Sequence, residues 1–226
     1  MDRKLARKPG TLLLLCLLAL AVIQSGCASA FLAPIYLLKG TEVDPMFKKE
    51  VKAIPKESKI VVVCRGSMNL YGAENPSRDM SAGLTLLMKN KLEKRKFQWV
   101  PYELVEASFD EEALSLETFT NIGKKVGADY IIGVDMDSFQ TNLSSQFYQG
   151  KAKVHVQLVN VNDNEVIARK SLPEFVYPPT PVPINDKPQV EFQKQFTVKL
   201  ANEVGTLFYP YNPHDKYALD NDFPER

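Results

Sequence analysis

Gly127-Ala128-Asp129-Tyr130-Ile131-Ile132-Gly133-Val134-Asp135-Met136-Asp137-Ser138-Phe139 decides the fold, because a helix stop runs straight into a strand. From Asp129 to Phe139, Tyr130, Ile132, Val134 and Met136 fall on one face and Ile131, Gly133, Asp135 and Asp137 on the other. Gln146 to Val161 and Glu165 to Val176 read as two further strands, joined at Asn162-Asp163-Asn164, where Asn and Asp tolerate the positive φ of a tight turn. The three strands predict an antiparallel meander.

Upstream of Gly127, Ser108-Phe109-Asp110-Glu111 has the form of a capping box. Leu116, Phe119, Gly123 and Val126 then supply an apolar stripe, with Lys124 and Lys125 in the last turn. A strand is expected at Gln98 to Glu103, preceded by a helix with Leu84, Leu87, Met88 and Leu92 at helical spacing. Lys59 to Cys64 is a β-branched run suited to a strand buried on both faces. The stretch from Arg65 to Arg78 reads as a loop whose Arg65, Tyr71 and Arg78 could contact a partner.

Downstream, Tyr177-Pro178-Pro179-Thr180-Pro181-Val182-Pro183 argues for an extended spacer over residues 177–188. From Pro188, Phe192, Phe196, Leu200, Val204 and Leu207 recur at helical spacing until Pro210. The expected order is β-α-β-α-β-β-β-α: an α+β sandwich with three helices on a mixed sheet of about five strands. The domain is expected over residues 59–209, with a loose tail at 210–226.

The N-terminal residues bear on location. Arg3, Lys4, Arg7 and Lys8 precede an apolar run from Leu12 to Ile23, and Gln24-Ser25-Gly26-Cys27 follows. About a dozen apolar residues are short for a bilayer span and suit an export signal over residues 1–26. Ser-Gly-Cys resembles the lipobox of bacterial lipoproteins, with Gln24 where an aliphatic residue is usual, and this reading makes Cys27 the lipidation site. Two alternatives stay open: cleavage after Ala28-Ser29-Ala30, and an uncleaved anchor towards Leu38. Residues 27–58 are expected to be anchor and tether.

With 45% hydrophobic and 24% charged residues the composition is that of a globular protein. Four basic residues and one acidic residue precede Cys27, leaving 24 basic against 26 acidic beyond it. A nucleic-acid binder needs a basic surplus, so that class is set aside. Loss of Cys16 with the signal and lipidation of Cys27 would leave Cys64 alone, behind three valines, as a small buried hydrophobe.

Gly127 to Gly133 after a helix, followed by Val156 to Ala168 (VQLVNVNDNEVIA), resembles a domain shared by three groups of envelope proteins. These are the curli-secretion lipoprotein, the periplasmic lipoproteins that activate penicillin-binding proteins, and the Tol-system β-propeller protein, in its N-terminal domain. The resemblance covers roughly residues 59 to 209. It implies a non-catalytic binding and assembly module, often lipid-anchored; the Pro-rich stretch lies outside the pattern.

For chemistry, His155 alternates outward from Val154 and Val156, His214 sits in the tail, and neither has a metal-ligand spacing partner. Both read as solvated surface residues, and no cofactor is called for. Asp135 and Asp137 share a strand face and supply the enzymatic alternative, an exported hydrolase. A third expectation is a subunit of a secretion or polysaccharide-export assembly. The leading one is a lipid-anchored envelope protein at the periplasmic face of the outer membrane, with an envelope protein partner and room for oligomers.

Overall fold

A computed structural model describes residues 42–66, 76–109 and 117–213. Its helices are α1 (Lys48–Ala53), α2 (Pro76–Lys91), α3 (Tyr102–Ser108), α4 (Phe119–Val126) and α5 (Gln189–Gly205). Its strands are β1 (Lys59–Gly66), β2 (Gln98–Val100), β3 (Tyr130–Asn142), β4 (Phe147–Asn160), β5 (Glu165–Ser171) and β6 (Phe175–Pro183). They form one mixed sheet in the order β2-β1-β3-β4-β5, with β6 also on β4. β1 runs parallel to β2 and β3, and every other pairing is antiparallel. The α+β class and the β3-β4-β5 meander expected from the sequence are present.

Strand alternation divides the core into two layers. Ile60, Val62 and Cys64 of β1, Ile132, Val134 and Met136 of β3, and Val154, Val156 and Leu158 of β4 face α1, α2 and α5. There Phe192 stacks on Tyr148 at 4.9 Å between centroids, and Phe196 lies 5.0 Å from Phe139 and 5.9 Å from Phe175. Full burial of each such ring contributes roughly 1.5–3 kcal/mol. The opposite face packs Val61, Val63, Ile131 and Val159 against Val105 of α3 and Phe119 and Ile122 of α4.

β2 opposes only Lys59 to Val61, so the amide of Cys64 has no partner on that side of β1. It donates instead to Ser81 Oγ of α2 at 2.8 Å. That bond explains why a hydroxyl is tolerated fully buried in α2.

Several expectations change. The stretch read as a tether is, from Val43, part of the folded unit: Phe47, Val51 and Ile54 are buried, and Val43 bridges Tyr211. Arg95 holds α1 down by donating to the carbonyls of Val51, Lys52 and Ile54 at 2.7–3.0 Å. The Pro-rich spacer is largely strand β6, which pairs with β4 at Phe147↔Pro183 and Gly150↔Tyr177. Prolines are admitted because β6 is an edge strand, where an absent N–H need break no ladder.

Residues 101–108 also differ, since Tyr102 and Val105 put helix α3 where a strand end was expected. Ser108 is the last residue of α3, and the capping box expected from it runs into residues 110–116, outside the described residues. The Ser108 carbonyl accepts from Lys125 Nζ. α4 starts later than expected, at Phe119, and its cap is Thr118, whose Oγ1 accepts from the Asn121 amide at 3.2 Å. Gly127 takes the left-handed conformation, φ +70°, and the Ala128 amide closes the turn onto the Gly123 carbonyl at 2.9 Å. Glu111 lies outside the described residues.

Candidate functional site

α3 and α4 cover only part of the second face. Beyond them, two open clefts of about 400 and 350 Å³ meet at Arg65 and Gln157. The larger is lined by Arg65, Asp135, Asp137 and His155 among others, and the smaller by Phe119, Thr120, Val159 and Val166 among others. Strand register puts these side chains together. Arg65 lies opposite Asp135, Asp135 opposite His155, and His155 opposite Ser171, so one row crosses β1, β3, β4 and β5.

Arg65 is the structural centre of the site. Its Nε donates to Asp135 Oδ1, its guanidinium also donates to the Glu117 carbonyl, and it lies 4.2 Å over the Phe119 ring. Phe119 in turn lies directly over Gly133, where an added Cβ would meet the ring at 2.5 Å. Glycine is thus required at position 133 by close approach, and the stack of sheet, ring and guanidinium fixes the start of α4. Arg65 belongs to β1, not to a loop, and its side chain is only 19% exposed.

Asp137 and His155 make a second unit. His155 Nε2 is 2.7 Å from Asp137 Oδ2, and Nδ1 is 2.6 Å from Ser171 Oγ, so one imidazole joins β3 to β5 across β4. The sequence put Asp135, Asp137 and His155 on outward faces, but it gave no sign that His155 meets Asp137 and Ser171. Only the antiparallel register could have shown it: His155 pairs with Asp135, and the register shift between Met136 and Ser138 leaves Asp137 out of the ladder. Asp135 and Asp137 therefore have separate partners, Arg65 and His155.

Arg78 sits in the first turn of α2, paired with Glu106 at 3.2 Å on an exposed surface. Arg65 and Arg78 thus lie at the two ends of the expected loop, each in an ion pair. Tyr71, His214 and Cys27 lie outside the described residues. Cys64 is fully buried, and burial pushes its thiol up from 9.0 to about 12. Among the described residues no group of three or more His, Cys, Asp or Glu could hold a metal ion, and no helix is long and apolar enough to cross a membrane.

No family model matches the chain, and no curated protein does. Among solved structures it is similar to the LpoB C-terminal domain from Salmonella enterica at 19% identity, covering 57% of this chain and 89% of that one with a TM-score of 0.37. Lipoprotein GNA1162 from Neisseria meningitidis is similar at 12% identity, over 65% of this chain and 97% of that one, with a TM-score of 0.41. The PelC dodecamer from Paraburkholderia phytofirmans follows at 8% identity, over 74% and 95%, with a TM-score of 0.38. Likeness at this level carries neither partner nor activity across.

Proposed function

We propose that this chain is a lipid-anchored cell-envelope protein whose α+β domain binds another envelope protein and helps assemble it. The observation that carries the reading is the half-covered second face. Its polar side chains stand on strands, are joined to one another by hydrogen bonds, and border an apolar floor of Phe119, Val159 and Val166. Such a surface is organised before a partner arrives, which lowers the ordering cost of binding. The two-carboxylate hydrolase fits less well, because Asp135 is held by Arg65 and Asp137 by His155.

Acylation at Cys27 would confine the domain near a membrane and raise its effective concentration towards a partner there. Retention needs several acyl chains, since one holds weakly. Ala28 after the cysteine, by analogy with bacterial lipoproteins, favours the periplasmic face of the outer membrane.

Metabolic labelling with a fatty-acid probe tests the anchor: wild type should label and Cys27→Ala should not, and equal labelling overturns it. A photo-crosslinking residue at Gln157, compared with one at Leu86 on α2, tests the face. A discrete envelope adduct is expected from position 157 and not from 86, and equal yields would reject the second face as the binding surface.

A further inference from the structure

Beyond recognition, we propose that Ser171 is an activated nucleophile that accepts acyl groups from small activated esters, with His155 as its base and Asp137 orienting the base. The parts are already in contact. Ser171 Oγ lies 2.6 Å from His155 Nδ1, and His155 Nε2 lies 2.7 Å from Asp137 Oδ2. A carboxylate at Nε2 holds the proton on that nitrogen and leaves the Nδ1 lone pair facing the hydroxyl. Nucleophile, base and orienting group within hydrogen-bond reach are the diagnostic arrangement for an activated hydroxyl.

A fourth group completes the set. Arg169 stands two residues before Ser171 on the same strand face, opposite Gln157, and among the described residues it has no ion-pair partner. In the proposed reaction its guanidinium stabilises the charge developing on the acyl oxygen at Ser171. Arg65 is unsuited to that work because Asp135 and the Glu117 carbonyl occupy it. Ser171 and Arg169 are exposed and the cleft beside them is open, which fits an unencumbered ester carried by a small molecule or an accessible chain end.

The step balances without a further reagent. Ser171 Oγ bonds to the carbonyl carbon as its proton passes to His155 Nδ1; the ester C–O bond breaks, and the leaving oxygen takes that proton. Water, deprotonated by the same nitrogen, then attacks the acyl-serine, and the products are a carboxylic acid and the free hydroxyl.

The test is labelling of the purified full chain with a fluorophosphonate probe, with the adduct mapped by mass spectrometry, together with p-nitrophenyl acetate turnover. The adduct should sit on Ser171, vanish in Ser171→Ala, and fall at least about tenfold in both His155→Gln and Asp137→Asn, in line with the size of general-base effects. Circular dichroism confirms that the variants fold. Absence of an adduct on Ser171, or labelling unchanged in folded His155→Gln, overturns the assignment. Neither result bears on fatty-acid labelling of Cys27 or on crosslinking from position 157.

Discussion

The two faces of the sheet are built by the same strands and have different fates. On the first, Ile132, Val134 and Met136 of β3 meet a continuous layer of α2 and α5 side chains, and Phe192, Phe196 and Leu200 are fully buried. On the second, Ile131 is covered by α3 and α4, while Asp135 and Asp137, four and six residues further on, line an open cleft. One strand thus changes from core to surface along its length on one side only. Period-two alternation assigns a residue to a face, but the reach of the covering helices decides whether that face is dry.

The sharpest contrast comes from deleting mass on the dry side. Phe196→Ala should cost about 3–5 kcal/mol, since the ring is fully buried between Phe139 and Phe175. For a domain of this size that lowers Tm by on the order of 10 °C. Urea unfolding followed by circular dichroism would show it, and a loss under 1 kcal/mol would mean that the first layer is not the main core.

At the boundary between dry and wet, Arg65→Ala should cost about 1–2 kcal/mol, because a partly buried Asp135 and the Glu117 carbonyl lose their donor. Arg65→Lys should restore only part of this, since an ammonium lacks the planar fork that both donates and lies over Phe119. Full rescue by lysine would show that charge alone matters. On the wet side, Asp137→Asn should change stability by no more than about 0.5 kcal/mol, because its partner His155 is 43% exposed and Asp137 itself 55%. A larger loss would place Asp137 in the fold's framework.

At neutral pH the smallest effect is that of the Cys64 thiol. Burial raises it from 9.0 to about 12, so the folded chain keeps its proton where the unfolded chain has lost it. Its contribution to stability is fully present below pH 9 and falls as pH rises from 9 towards 12, where the unfolded state binds fewer protons. Tyr209, raised from 10.0 to about 12 chiefly by burial, acts in the same direction at higher pH. Urea midpoints at pH 7.5 and 10 should therefore fall more steeply for wild type than for Cys64→Ala.

What was legible in the sequence was whatever depends on neighbours a few residues away. The stop at Gly127, the alternation of β3, the turn at Asn162 to Asn164 and the stripe from Phe192 to Leu207 are local patterns, and each has its counterpart in the structure. Long-range partners were hidden. α1 has only six residues and no apolar period, and it exists because Phe208 and Arg95 receive it. β6 looked forbidden because proline's missing donor is a local property, whereas edge position is a property of the whole sheet. The His155 contacts depend on register across three strands, which no single segment encodes.

The prolines of β6 have a further consequence. Pro178, Pro179, Pro181 and Pro183 remove four amide hydrogens from that border of the sheet, so it offers few donors to another strand. That rim is therefore poorly suited to zip onto a strand of a second copy.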